Sequence, residues 1–110
     1  MIAIKPGVEL AGLTPQAVLA MITAASLCAK YGYNFTLTSV REGTHSPGSL
    51  HYVGRAFDFR TKHIRGGHRD TIVTELQTAL GREFDVVYEP GEAEHCHVEW
   101  DPDYLKGKRG

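Results

Sequence analysis

The sequence predicts an α+β domain, with a small antiparallel sheet of about four strands and helices packed on one side. Two segments repeat apolar side chains at helical spacing, and four shorter segments have the composition or alternation of β-strands. Their order along the chain is helix, strand, strand, helix, strand, strand. The 110 residues are enough for one hydrophobic core, so residues 1–110 are expected to form a single domain.

The first helix is predicted to follow an extended lead-in over residues 1–13 and to begin at Thr14. Threonine is a good N-cap, and Pro15 is favourable at the first helical position. Gly32 ends the helix. Apolar side chains recur at helical spacing between these limits, at Val18, Met21 or Ile22, Ala25 and Cys28.

The strands and the second helix follow from similar local patterns. Residues 68–80 are predicted to form a helix that ends at Gly81 and has Ile72, Val73, Leu76 and Leu80 on its apolar side. Glycine and proline cluster in the segments between the other elements, as expected for loops and turns. The four predicted strands cover residues 35–40, 56–60, 84–88 and 95–100.

Composition excludes several classes of partner. The net charge is -1 and the pI is about 6.6, so there is no basic field for nucleic acid or an anionic membrane. The two cysteines, Cys28 and Cys96, are expected to be small buried side chains rather than a disulfide. The apolar run at 18–29 is too short to span a bilayer and has a poor signal-peptide context, so no signal peptide is expected.

The last predicted strand presents two imidazoles on one face. Side chains alternate along a strand, so His95, His97 and Glu99 share a face, while Cys96 and Val98 lie on the opposite, apolar face. The apolar set must face the core. The histidines then line a cleft or meet solvent.

The strand at 56–60 presents a carboxylate in the same way. Phe57 and Phe59 are predicted to face the core, which directs Asp58 to the opposite face. His51 precedes Asp58 by seven residues, and Gly54 between them permits a tight reversal of the chain. The two side chains can therefore approach each other.

His51, Asp58 and His97 together form a set of two imidazoles and one carboxylate. This set suits zinc with one position open for water, as in catalytic zinc sites. Non-heme iron uses the same residue types. Iron enzymes, however, usually bring the histidine and the carboxylate one residue apart, so the spacing here favours Zn²⁺.

A motif covers the first two of these residues. Residues 49–58, SLHYVGRAFD, match S-x-H-x-x-G-x-A-x-D in full, and His95-Cys96-His97 supplies a downstream H-x-H. The chain thereby resembles the zinc D-Ala-D-Ala carboxypeptidase family, which includes phage L-alanyl-D-glutamate endopeptidases. The wider group also contains lysostaphin-type enzymes and the hedgehog signalling domain. The resemblance covers residues 36–102 and implies a hedgehog/DD-peptidase-like fold.

The resemblance also implies residue roles. His51, Asp58 and His97 would bind zinc, and His95 would line the cleft and hydrogen-bond the reacting groups. The family has a catalytic carboxylate three residues before its last histidine ligand, and Glu94 occupies that position. It would accept a proton from the attacking water and deliver it to the leaving amine. Residues 90–93 resemble an insertion, so Glu92 and Glu89 remain alternatives. Glu99 shares the face of the two histidines and could hydrogen-bond a histidine that binds the metal.

Two further residues match substrate-binding positions of the family. Arg41 would contact the substrate carboxylate or the developing oxyanion, and Ser49 would contact the substrate carboxylate. The implied partner is a peptidoglycan stem peptide, and the implied activity is that of a phage-type cell-wall hydrolase such as an endolysin. Such an enzyme would stay in the cytoplasm until release or be carried in the virion. The alternative is a non-catalytic, zinc-stabilised binding or virion structural module of the same fold.

Overall fold

The computed structural model describes residues 2–40 and 54–102. The described part confirms the α+β class, with two helices and a five-stranded sheet. In chain order the elements are β1 (Ile2–Ile4), α1 (Pro15–Lys30), β2 (Phe35–Ser39), β3 (Ala56–Arg60), α2 (Gly66–Leu80), β4 (Phe84–Glu89) and β5 (His95–Trp100).

The sheet has the strand order β1-β2-β3-β5-β4. β1 pairs with β2 in parallel, and all other neighbours are antiparallel. The prediction of an antiparallel sheet of four strands therefore missed one strand and its parallel pairing. With three residues, β1 is too short to show alternation. Its partner β2 follows α1, which forms the crossover connection that a parallel pair requires.

One face of the sheet carries the hydrophobic core. The inward side chains of β2, β3 and β5 pack with buried residues of both helices in a single cluster. Phe35 and Phe59 belong to this cluster, with ring centroids 5.1 Å apart. The other face carries mostly polar residues on β3 and β5, together with Ala56 and the exposed Val87. The fully buried sheet side chains that face this core are Phe35, Leu37, Phe57, Phe59, Cys96 and Val98.

α1 begins where the sequence predicts, because the Thr14 hydroxyl accepts a hydrogen bond from Ala17 N at 3.2 Å. Its buried face differs slightly from the predicted one. Met21 is buried, whereas Ile22 is 49% exposed. Alanine dominates the buried positions, which are Ala17, Ala20, Met21, Ala24 and Cys28, so small side chains rather than the bulkiest ones face the sheet.

The two cysteines are free and fully buried, as predicted. Burial raises the pKa of the Cys28 thiol to about 11 and that of Cys96 to about 12. Both side chains therefore act as small apolar groups of the core. In the part of the chain that the structure describes, neither helix is long and apolar enough to cross a membrane.

Gly54 connects the start of β3 to the turn before α1. Its φ of 74° lies in the left-handed region, and its carbonyl oxygen accepts a hydrogen bond from Thr14 N at 2.9 Å. A Cβ at this position would clash with the carbonyl oxygen of Gly12. Glycine is thus required here by the backbone conformation and by the close approach of two chain segments.

We expect Gly54→Ala to destabilise the fold more than a matched substitution at Gly32. Gly32 also has a positive φ, 85°, but a Cβ there would meet nothing within 4 Å. Gly32→Ala should cost about 1–2 kcal/mol for the left-handed conformation alone. Gly54→Ala should cost at least about 2 kcal/mol more, because it adds overpacking. Urea unfolding of both variants measures the difference, and equal costs would contradict the close approach.

Candidate metal centre

The polar face of the sheet brings two predicted metal ligands together. β3 and β5 are antiparallel neighbours, and their register places Asp58 opposite His97 and Arg60 opposite His95. Directly opposed side chains on one face have Cβ atoms about 5 Å apart. The predicted alternation along both strands is therefore confirmed for these residues, and the pairing adds a contact that alternation alone does not specify.

Asp58 and His97 are in hydrogen-bond contact. His97 Nδ1 lies 2.9 Å from Asp58 Oδ1, and the side chains are 14% and 18% exposed. Both groups are thus largely removed from water yet remain on the face of the sheet away from the core. A carboxylate and an imidazole held in this way can share a proton or a cation.

A β-bulge lies beside this pair. Leu37 of β2 is paired with Phe59, but Ser39 is paired with Asp58, so Thr38 is an extra residue on β2. The Thr38 hydroxyl donates a hydrogen bond to the backbone oxygen of Asp58 at 3.3 Å. Bulges are frequent near functional sites because they redirect the side chains around them.

The second ring nitrogen of His97 also has a carboxylate partner. His97 Nε2 lies 3.0 Å from Glu99 Oε1, two residues along the same strand face. Burial alone would lower the pKa of His97, but hydrogen bonds to Asp58 and Glu99 and their negative charges outweigh it and raise the pKa to about 9. The imidazole is therefore set in an anionic environment that favours a bound positive charge.

The arrangement fits a divalent metal. Two atoms bound to one tetrahedral zinc at 2.0–2.1 Å lie about 3.3 Å apart. The 2.9 Å between Asp58 Oδ1 and His97 Nδ1 needs only a small widening to admit such an ion. His97 Nε2–H would then donate to Glu99, the carboxylate–histidine–metal arrangement common around zinc. Asp58 and His97 are thus suitable as two ligands of the predicted three.

The remaining predicted ligand, His51, lies outside the described residues. The predicted substrate-binding residues Arg41 and Ser49 also fall in the undescribed range 41–53. Gly54 and Ala56 of the motif are described, and Ala56 is fully buried.

A second acidic group lies next to this site. Within residues 2–40 and 54–102, Asp85, Glu99 and Asp101 have carboxylate oxygens within 4.8 Å of one another. Such all-carboxylate sets suit hard cations such as Ca²⁺, rather than zinc. Exposed acidic groups are also common without an ion, so this cluster is not assigned a metal. Glu99 belongs to both arrangements.

His95 lines a cleft next to the pair, as the sequence predicts. Its Nδ1 lies 2.8 Å from the Ala93 carbonyl oxygen, which can only accept, so Nδ1 carries a proton. Its Nε2 lies 3.2 Å from Glu89 Oε2 and 3.9 Å from Asp58 Oδ2. The ring is therefore fixed on one side, and its other nitrogen is directed towards carboxylates.

Glu94 lines the same cleft and is held by neighbouring side chains. Its carboxylate accepts a hydrogen bond from the Thr61 hydroxyl at 3.1 Å, and Arg69 Nη1 lies 3.6 Å away. The Arg69 guanidinium is fixed in turn by stacking on Tyr88, 4.2 Å from the ring centroid. Of the two alternatives to Glu94, Glu92 also lines the cleft.

The cleft itself has a volume of about 760 Å³ and contains residues that the sequence did not single out. Asp58, Glu94 and His95 share it with four basic side chains, Lys5, Arg60, Lys62 and His63. Lys5 directly follows β1, the strand that the sequence analysis did not predict. Arg60 could have been found from the sequence, because it shares the outward face of Asp58 two residues further along β3.

Comparison with family models, with curated proteins and with solved structures finds no match to this chain.

Proposed function

We propose that this protein is a zinc metallopeptidase that hydrolyses a peptide bond in bacterial peptidoglycan stem peptides. The observation that carries the proposal is the contact between Asp58 and His97. Glu99 contacts the second ring nitrogen of His97, and Asp58 lines a cleft that also contains Glu94. The stem-peptide substrate is supported by the motif resemblance over residues 49–58 and 95–97.

The metal would be held by His51, Asp58 and His97. When bound there, zinc would polarise the scissile carbonyl and acidify a water molecule. Glu99 would orient His97 through the hydrogen bond to Nε2, which presents Nδ1 to the metal.

Glu94 would act as the general base and then as the general acid. It would accept a proton from the attacking water and deliver it to the leaving amine. The Thr61 hydroxyl and the Arg69 guanidinium would hold its carboxylate in one orientation. A carboxylate held in this way loses less conformational freedom when it takes part in proton transfer.

His95, Arg41 and Ser49 would position the substrate. His95 Nδ1 is committed to the Ala93 carbonyl, and Nε2, which lies 3.2 Å from Glu89 Oε2, would exchange that contact for a hydrogen bond to the reacting groups. Arg41 would bind the substrate carboxylate or the developing oxyanion, for which a guanidinium is well suited. Ser49 would contact the substrate carboxylate. Both D-Ala-D-Ala carboxypeptidase and L-Ala-D-Glu endopeptidase activity are compatible with this set.

Replacing Glu94 by glutamine should abolish most turnover but leave zinc in place. We expect the release of muropeptides from purified peptidoglycan to fall by about 10²–10⁴-fold, the usual contribution of a general base. Glu92→Gln is the matched control with the same change of charge and should retain activity, whereas Glu89→Gln, whose carboxylate lies 3.2 Å from His95 Nε2, should lose less activity than Glu94→Gln. Mass spectrometry of the products identifies the bond cut, and metal analysis shows the zinc content.

Two outcomes would contradict this assignment in different ways. A loss of activity in Glu92→Gln with full activity in Glu94→Gln would transfer the role of base to Glu92. A zinc-loaded wild-type protein that releases no muropeptides would favour the alternative, a zinc-stabilised binding or virion structural module.

Replacing Glu99 by glutamine should weaken zinc binding by about 10–100-fold, because the orienting carboxylate behind His97 is lost. Asp85→Asn is the matched control, since Asp85 belongs to the acidic cluster but not to the His97 contacts. Competition with a chromogenic chelator measures both affinities. Equal weakening in the two variants would instead indicate that the ion occupies the acidic cluster.

A further inference from the structure

Three cationic side chains line the cleft. Lys5, Arg60 and Lys62 are exposed and contribute to the cleft wall. Within residues 2–40 and 54–102, none of them forms an ion pair. Three like charges around one concave space repel one another, and an anion bound between them would relieve the repulsion.

The acidic residues of the cleft do not neutralise these cations. Asp58 is in contact with His97, and Glu94 is held by Thr61 and Arg69. Glu92 is the one cleft carboxylate for which the described residues provide no such contact. Among the residues that the structure describes, the three cations therefore outnumber the cleft carboxylates available to pair with them.

Arg60 and Lys5 can be placed relative to the Asp58–His97 pair. Arg60 is two residues beyond Asp58 on the same face of β3, which corresponds to about 7 Å along the strand. Lys5 directly follows β1, and its amide donates to Leu37 O at 2.9 Å, so it lies on the side of β3 away from His97. An extended peptide spans about 3.3–3.6 Å per residue. A distance of 7 Å thus corresponds to about two residues of bound peptide.

We propose that Lys5, Arg60 and Lys62 form a carboxylate-binding subsite that holds an anionic group of the peptide about two residues from the bond that is cut. The guanidinium of Arg60 supplies a fork that matches a carboxylate, and the two ammonium groups add charge. The position relative to the scissile bond rests on the proposed peptidase function. Recognition of the carboxylate does not require turnover.

Direct binding measurements test the subsite. The probes are L-alanyl-γ-D-glutamyl-L-lysyl-D-alanyl-D-alanine, which contains both candidate bonds and carries the glutamyl α-carboxylate two residues before the D-Ala-D-Ala pair, and the same peptide with that carboxylate converted to an amide, titrated calorimetrically with excess zinc present. The wild-type protein should bind the carboxylate peptide at least about fivefold more tightly. Arg60→Gln and Lys62→Gln should each reduce this preference and leave the affinity for the amide unchanged. Higher salt should reduce the preference too.

Arg65→Gln is the control, because Arg65 is an exposed cation outside the cleft wall and the substitution removes the same charge. The subsite is overturned if neither peptide binds, if both bind equally, or if the preference survives in the Arg60→Gln/Lys62→Gln double variant. An equal loss in Arg65→Gln would also overturn it. A preference for the carboxylate peptide without cleavage of either peptide would remove the peptidase proposal and leave the subsite standing.

Discussion

The antiparallel register between β3 and β5 is the constraint on which the site depends. It places Asp58 opposite His97, and it is fixed by the opposite face of the same strands, where Phe57, Phe59 and Val98 are fully buried. A slip of one residue would move the core side chains to the polar face. Packing of the core thus fixes the register, and the register determines that Asp58 lies next to His97.

The small residues Gly54 and Ala56 of the motif at residues 49–58 have structural roles. Gly54 permits the approach of Gly12, and Ala56 is fully buried as the cross-strand partner of Glu99. A larger side chain at Ala56 would compete for the space in which the Glu99 carboxylate reaches His97. One short segment therefore both shapes the turn that leads into β3 and leaves room for the contacts of His97 with Asp58 and Glu99.

Local pattern was sufficient for most of the fold. Residues 56–60 and 95–100 were predicted with the observed limits, because alternation around buried side chains is a strong local signal. β1 was missed because its pairing with β2 depends on residues more than thirty positions away. The contact of Arg69 with Glu94 and the position of Lys5 in the cleft could not be predicted from the sequence, since tertiary packing and not sequence spacing brings these side chains together.

The central claim is that Asp58 and His97 bind the same zinc ion. A crystal structure of the zinc-loaded protein, with anomalous diffraction recorded at the zinc edge, tests it most directly. The account predicts one anomalous peak about 2.0–2.2 Å from an Asp58 carboxylate oxygen and about 2.0–2.1 Å from His97 Nδ1, with His51 completing the protein ligands. A peak among Asp85, Glu99 and Asp101, or no peak at the Asp58–His97 pair, would contradict it.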